Sequence, residues 1–429
     1  MSWNVTDKRK DTTMKSSMKV KNSLAFVCLV VIMMFILNCW SCGHTSPPGT
    51  GTLGFLRVEN GQIVKEGGEV VILRGFNAGP FKFASYKNGG HTLDEIDKFN
   101  KRAYKHFFTE QDAENIKSMG ANVLRANSTL EFWTLETEPY QYDEGLIEIH
   151  NDLVSLACRN QIYVILSMGN AGQNVGQNED GFGHTLWTDA DLRSRVIEGW
   201  RFIAEHYADN PCVAGYDIMN EPDPDPSPRE ALHSFYSDVI SAIRSVDEKH
   251  IIFLGKKSFP GNETEILWGG TYDDENIVLE FHMYEDANEN SEQNPEGVDY
   301  PTREELETEF EQFFSLPQVQ EQTRNRPIYL GEFSALWGSG DEGVQWTADV
   351  IEISNQRSIH WTYFSYKSIY GFPGRGLYVS PRWWLFDWTE EQDRNLEATE
   401  EQLNRLYTMN YQTNPDVLQL LENGFRIIP

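Results

Sequence analysis

Hydrophobic and polar positions follow a repeating order along the chain, in which a short apolar run precedes a longer stretch with helical character. Eight apolar runs have the length of strands: residues 70–77, 121–127, 162–170, 215–222, 251–256, 277–286, 327–334 and 360–367. Helices are predicted at residues 109–120, 144–160, 189–208, 228–247, from 302, and at 345–356 and 396–408. Eight strands alternating with helices in one chain predict a single α/β domain, a (β/α)₈ TIM barrel.

The segments around this repeat have their own signals. Turn dipeptides at Asn60-Gly61 and Gly67-Gly68 predict a short N-terminal β-hairpin ahead of the first barrel strand. Thr109, with Asp112 three residues on, and Thr188 are placed to cap helices. Residues 79–108, 286–300 and 370–388 are expected to form long loops at one face of the barrel.

The N-terminus carries an export signal. Lys15, Lys19 and Lys21 precede an apolar run at residues 24–40, which small and polar residues follow. This order predicts a secretory signal peptide within residues 1–42. The run is also near the shortest length that spans a membrane, so a signal anchor is an alternative, and Ser41-Cys42 offers a lipoprotein cleavage site. We therefore expect a secreted or surface-attached protein, with a linker at residues 43–53 and the barrel at 54–429.

Charge and cysteine usage restrict the partners. The formal net charge of −29 over 429 residues disfavours nucleic acid, whose phosphates a surface this acidic repels. Of five cysteines, only Cys158 and Cys212 lie in the body of the chain, and neither has a metal-ligand spacing. One disulfide at most is expected, and no metal or cofactor. The expected partner is a polysaccharide or oligosaccharide, and the expected state is a monomer.

Two glutamates stand at the ends of predicted strands. The run at residues 215–222 stops on Asn220, Glu221 and Pro222, and the run at 327–334 reaches Glu332. A carboxylate at the end of a buried strand is costly, although capping the next helix is an alternative reason for it. Parallel barrel strands deliver their C-terminal ends to one mouth. Two carboxyl groups meeting there are the minimum equipment for cleaving a glycosidic bond.

Other polar residues end neighbouring strands. Arg125 ends the second strand, and His282 and Tyr284 end the sixth on one face. Arg125 and Tyr284 are predicted donors that keep Glu332 ionised, with a structural ion pair as the alternative for Arg125. His282 is predicted to position Glu221 or a substrate hydroxyl, with a core histidine as the alternative. Burial and the charge of Glu332 are expected to raise the pKa of Glu221.

These residues resemble the motifs of glycoside hydrolase family 5. The motifs are Arg125, Asn220-Glu221-Pro222, His282-x-Tyr284 and Gly331-Glu332-Phe333, in this order over residues 70–367. The resemblance implies that Glu221 is the acid/base and Glu332 the nucleophile, with net retention at the anomeric carbon. Asn220 is expected to hydrogen-bond the 2-hydroxyl of the sugar.

The sequence departs from the family at two strands. The third strand ends in Gly169 and Asn170 where the family has a histidine. The eighth has Trp361 early and Phe364 where a tryptophan floor is expected. Trp361, Phe364 and Trp337, which follows Glu332, are predicted to contact the substrate. Further candidates for stacking on sugar rings are Trp383, Trp384 and Trp388.

The sequence thus predicts a retaining hydrolase of β-linked polysaccharide, resembling an endo-β-1,4-glucanase. A β-mannanase is the alternative within the same family. A non-catalytic carbohydrate-binding barrel is the alternative from another class, but a binder has no need to keep both Glu221 and Glu332 in reach of one bond.

Overall fold

A computed structural model describes most of the body of the chain, all of it within the unit Pro47–Pro429. The described residues are 53–79, 92–128, 142, 144–168, 185–224, 228–256, 267–284, 298–371, 375–380 and 398–426. The predicted export segment, nearly all of the linker, residues 169 and 170, and the three tryptophans at 383, 384 and 388 lie outside them. No helix within the described ranges is long and apolar enough to cross a membrane.

Eight parallel strands close into a barrel, which confirms the predicted fold. They are β3 (Arg74–Asn77), β4 (Val123–Ser128), β5 (Tyr163–Met168), β6 (Val213–Asp217), β7 (Ile251–Leu254), β8 (Ile277–Met283), β9 (Ile328–Phe333) and β10 (His360–Tyr363). Each strand pairs with its neighbours in chain order, and β10 pairs with β3 to close the ring. All carboxyl ends therefore face one mouth.

Strand alternation divides the core into two layers. Tyr163 and Ile165 belong to an apolar cluster inside the barrel, whereas Val164 and Leu166 belong to the layer between strands and helices. Successive side chains of a strand point to opposite faces, so both layers are filled by every strand. Arg125, two residues beyond the interior Val123, is fully buried. The interior thus changes from apolar to charged toward the mouth.

The predicted N-terminal hairpin is present. β1 (Leu56–Glu59) and β2 (Gln62–Lys65) pair antiparallel, with Asn60 and Gly61 at positive φ in the turn between them. Two central residues at positive φ match the twist of a tight hairpin. Leu56 and Ile63 join the interior cluster, so the hairpin contributes to the barrel core.

Helices surround the strands. They are α1 (Leu93–Phe107), α2 (Glu110–Met119), α3 (Glu144–Arg159), α4 (Thr185–Thr188), α5 (Ala190–Tyr207), α6 (Pro228–Arg244), α7 (Arg303–Ser315), α8 (Pro317–Gln322), α9 (Gly340–Gln356), α10 (Glu400–Leu403) and α11 (Pro415–Arg426). Thr109 caps α2 reciprocally with Asp112, as predicted. The cap assigned to Thr188 is wrong: Thr188 ends α4, and Asp189 caps α5 by accepting from two backbone N–H groups.

Two other local predictions are wrong. Residues 79–108 include α1, whose Phe99, Ala103 and Phe107 are buried at helical spacing. Lysines occupy some of the remaining positions, and this polar composition indicated a loop instead of a helix. The predicted helix at 396–408 is only α10 and two short 3₁₀ turns. The last long helix is α11, which buries Leu421 and Phe425.

Two features tie outer segments to the barrel. Cys158, in the last turn of α3, forms a disulfide with Cys212, directly before β6. This is the one bridge that the cysteine count allowed. After β10 the chain forms β11 (Lys367–Gly371), which joins β12 (Tyr378–Ser380) and β13 (Gln412–Thr413) in a small sheet.

Candidate active site

Glu221 and Glu332 meet at the mouth of the barrel. Three atoms lie within 4.8 Å of one another: one carboxylate oxygen of Glu221, one of Glu332 and a ring nitrogen of His282. The Glu332 side chain is 7% exposed, whereas the Glu221 side chain is 35% exposed. Glu332 is therefore enclosed by protein, while Glu221 faces the opening.

Backbone irregularities aim both carboxyl groups. Glu221 follows the end of β6 with a φ of 43°, a left-handed conformation that costs energy for a non-glycine residue. In β9 the pairing with β8 shifts, so that Phe281 pairs with Leu330 but His282 pairs with Glu332. The extra residue, Gly331, is a β-bulge. Glu332 consequently shares the inward face with His282, although strict alternation from the interior Tyr329 would place it outward.

Arg125 is the cation of the site and is fully buried. Its Nη1 lies 2.6 Å from Oε1 of Glu332 and also donates to the side-chain oxygen of Asn77. Its Nη2 lies 2.7 Å from Asp217 and donates to the side-chain oxygen of Asn220 at 3.1 Å. The guanidinium thus orients the nucleophile candidate and Asn220 at once. The prediction that Arg125 reaches Glu332 is confirmed.

Tyr284 supplies the second donor to Glu332. Its hydroxyl donates to Oε2 at 2.8 Å, while Arg125 occupies Oε1. Burial, and then the charge of Glu332, raise the pKa of Tyr284 well above its usual value, so the hydroxyl keeps its proton. The Arg375 guanidinium stacks on the Tyr284 ring at 4.6 Å from its centroid. Each carboxylate oxygen of Glu332 thus accepts one hydrogen bond, and the two bonds together fix the orientation of the group.

His282 lies between two carboxyl groups. Its Nδ1 is 2.8 Å from Oε1 of Glu221, and its Nε2 is 3.3 Å from Oε1 of Glu280. Although burial alone lowers the pKa of His282, the carboxylates around it, Glu332 foremost, raise it to about 10. The ring is therefore an imidazolium at neutral pH that donates from both nitrogens.

The pKa of Glu221 differs from expectation. Burial by itself raises it, but the hydrogen bond and charge of His282 lower it below its ordinary value. The expected raised pKa of Glu221 is therefore wrong. The expectation counted the negative charge of Glu332 and omitted the imidazolium.

Sequence reasoning missed three members of the site. Asn77, Asp217 and Glu280 are buried and contact Arg125. Burial, with the neighbouring Glu280, raises the pKa of Asp217 to about 8. Although burial raises the pKa of Glu280 too, Arg125 and His282 lower it overall. A signal was available, since Asp217 and Glu280 interrupt otherwise apolar strands.

The predicted aromatic contacts fall into two groups. Trp361 is fully buried, stacks on Phe425 of α11, and donates from Nε1 to the side-chain oxygen of Asn355. It lies in the layer between barrel and helices, so its assignment as a substrate contact is wrong. Phe364 is half-buried and packs edge-on against Tyr284. Trp337 is half-buried in the loop after β9.

A metal ion is an alternative occupant of the site. Glu221, His282 and Glu332 each offer one ligand atom at a suitable mutual distance. An imidazole must be neutral to bind a metal. With a pKa of about 10, His282 holds a proton on the nitrogen that such an ion would need. The donor set therefore fits a hydrogen-bonded carboxyl pair better than a metal centre.

A closed barrel with two apposed glutamates at its mouth defines a glycoside hydrolase. Residues 85–369 match the family model described as cellulase, glycosyl hydrolase family 5. The chain belongs to glycoside hydrolase family 5, which the motifs around Glu221 and Glu332 predicted.

The relatives differ in their sugars. The chain is 26% identical to a β-xylosidase of Phanerodontia chrysosporium over 357 residues, 75% of this chain and 72% of the relative. It is 26% identical to a probable glucan 1,3-β-glucosidase A of Aspergillus fumigatus over 197 residues, 45% of this chain and 46% of that relative. The fold is similar to Thermotoga maritima Cel5A in complex with mannotriose, with a TM-score of 0.56 and 20% identity over 82% of this chain and 97% of that one.

Proposed function

We propose that the protein hydrolyses β-glycosidic bonds with retention, by double displacement. The observation that carries this proposal is the mutual distance of at most 4.8 Å between oxygens of Glu221 and Glu332. Retaining pairs lie about 5–5.5 Å apart, whereas inverting pairs need about 6.5–9.5 Å to admit a water. The donors on Glu332 and the exposure of Glu221 support the assignment of nucleophile and acid/base.

In the first step Glu332 attacks the anomeric carbon and the bond to the leaving oxygen breaks. Glu221 gives that oxygen its proton. Sugar in the mouth removes water from the half-exposed Glu221, which favours its protonated form before attack. Once Glu332 is esterified to the sugar, it no longer carries a negative charge. Glu221 then acts as the base that takes a proton from water. That water attacks the same carbon and releases Glu332.

For the substrate we propose a β-1,4-linked glucan cleaved within the chain. The cellulase description of the family model supports glucan. The mannotriose complex of the structural relative supports β-mannan as the alternative. The β-xylosidase relative, which spans about three quarters of this chain, supports including xylosides in any test.

Two measurements test these proposals. Proton NMR of an aryl β-glycoside digest should show the β-anomer of the sugar first, before mutarotation, and initial α-anomer would refute retention. Release of reducing ends from cellulose, mannan and xylan, with the Glu221→Ala/Glu332→Ala double variant as control, identifies the polymer. Rapid loss of viscosity indicates internal cleavage, and its absence contradicts endo action.

We also propose that the protein is exported and acts as a monomer. The basic and apolar N-terminal order supports export. The Cys158–Cys212 disulfide supports an oxidising compartment. N-terminal sequencing of protein from culture medium and from membranes tests this: a cleaved chain in the medium is expected, and an intact chain in the membrane favours an anchor. Light scattering measures the molecular mass in solution.

A further inference from the structure

We propose that Glu280 is a positioning residue that couples the two catalytic glutamates through one carboxylate oxygen. Oε1 of Glu280 lies 3.1 Å from Nε of Arg125 and 3.3 Å from Nε2 of His282. Arg125 continues to Glu332 at 2.6 Å, and His282 continues to Glu221 at 2.8 Å. A continuous chain of charge-assisted contacts therefore joins nucleophile to acid/base through Glu280.

The neighbouring strand is shaped to admit this carboxylate. A Cβ added at Gly331 would lie 1.8 Å from Oε1 of Glu280, a distance that no real contact reaches. Gly331 is also the bulged residue that turns Glu332 inward. The same glycine thus aims the nucleophile and leaves space for Glu280.

A structural ion pair alone does not explain the position of Glu280. Asp217 already contacts Arg125, and a further buried carboxyl group costs free energy. Glu280 differs from Asp217 because it also contacts Nε2 of His282, the ring nitrogen that does not contact Glu221. It holds Nε2, so Nδ1 is directed at the acid/base. The titratable and charged groups that face Glu280 within the described chain are Arg125, Asp217, Glu221, His282, Tyr236 and Tyr329.

This inference rests on the proposed roles of Glu221 and Glu332. The central test is Glu280→Gln, which keeps the shape and removes the charge. Misalignment of reacting groups by about 1 Å costs roughly 100-fold in rate, so kcat should fall by about that factor with KM little changed. The pKa of His282, which the surrounding carboxylates raise to about 10, should fall in this variant, and a ¹⁵N NMR titration measures the change.

Asp217→Asn is the matched control. It also alters a buried carboxyl group beside Arg125, but Asp217 lies on no contact to His282 within the described chain. Its His282 titration should stay near that of the parent. An equal shift in both variants would mean that altering any buried carboxyl group beside Arg125 moves the His282 titration, and it would overturn the proposal.

Gly331→Ala provides a second route. It leaves unchanged the side chains of the contact chain, which are Glu332, Arg125, Glu280, His282 and Glu221. The added methyl displaces the Glu280 carboxylate, so the same shift of the His282 pKa is expected. This shift is the decisive readout, because Gly331 also orients Glu332 and kcat would fall for either reason. Parent values in both Glu280→Gln and Gly331→Ala would overturn the inference alone. Failure of Glu221→Ala and Glu332→Ala to lower activity would instead overturn the proposed function. If Glu280→Gln does not fold, Gly331→Ala decides.

Discussion

Arg125 Nη1 lies 2.6 Å from Glu332 Oε1, and the arginine is completely enclosed. Since an arginine keeps its charge at any ordinary pH, it holds the Glu332 carboxyl group in position before any sugar arrives. The same guanidinium also serves Asp217 and Glu280, so the nucleophile is supported by the centre of the barrel and not by a loop.

Arg125→Met should therefore destabilise the fold as well as abolish turnover. Removing one partner of a buried ion pair costs about 3–5 kcal/mol, because the buried carboxyl groups around it lose their cationic partner. Urea unfolding measures this loss. The control is Arg159→Met, whose exposed pair with Glu110 should cost no more than about 1 kcal/mol. Equal losses in the two variants would contradict the central role of Arg125.

Tyr284→Phe removes one donor from Glu332 and keeps the ring. A hydrogen bond to a charged group contributes about 1.5–3 kcal/mol, which corresponds to a roughly 10- to 100-fold fall in kcat. The control is Tyr216→Phe, which deletes another buried hydroxyl, bonded to Asp247 at 2.7 Å outside the site. It should lower stability and leave kcat near that of the parent. Parent kcat in Tyr284→Phe would remove this residue from the mechanism.

The two catalytic glutamates should fail differently when truncated. Glu332→Ala lacks the atom that bonds to the sugar, so turnover should nearly vanish with every substrate. Glu221→Ala should still release a good phenol leaving group in a burst and then stall at the covalent intermediate. Added azide should rescue Glu221→Ala and yield the β-glycosyl azide with retention.

Azide should act on Glu332→Ala, if it acts, from the vacated nucleophile space and yield the inverted α-glycosyl azide. The anomeric configuration of each product is read by NMR. The reverse pattern would exchange the two assignments, and parent rates in both variants would remove both residues from catalysis.

Acid should destabilise the barrel through His360. Its Nδ1 accepts the N–H of Leu73 at 2.9 Å, and burial, then Arg74, lower its pKa from 6.5 to about 3. Between those two values the unfolded chain binds a proton that the native protein does not, so stability falls as the pH drops below 6.5. The slope is at most about 1.4 kcal/mol per pH unit from this residue.

His360→Asn removes the titration and keeps an oxygen acceptor for Leu73. Urea unfolding at a series of pH values between neutrality and mild acid should show a shallower decline in this variant than in the parent. Identical slopes would mean that other groups govern acid unfolding.

Removal of residues 1–42 should leave a folded, active protein. The apolar run within them shows no amphipathic periodicity that would pack on a core, whereas the interior cluster begins with the hairpin residue Leu56. Circular dichroism melting and activity on an aryl glycoside check this. A loss of cooperative melting would indicate that the removed segment packs against the barrel.

The sequence by itself determined the barrel, because strand and helix periods are local and each βα unit repeats the same signal. It also determined which residues end the strands at the mouth: Glu221, Glu332, Arg125, His282 and Tyr284. A polar residue at the end of an apolar run can be identified from the sequence alone. Helix α1 was not predicted because its apolar face is narrow and lies among lysines. Such a face is identified only when the structure shows what it packs against.

Only the tertiary structure decided what those residues touch. Simple alternation from Tyr329 would place Glu332 outward, and the bulge at Gly331 arises from pairing with a strand some fifty residues earlier. Trp361 faces α11 for the same kind of reason, since the register of neighbouring strands sets its side. The imidazolium of His282, and with it the lowered pKa of Glu221, depends on charges from several strands. Electrostatic interactions act through space, so their sum at the mouth exists only once the barrel has closed.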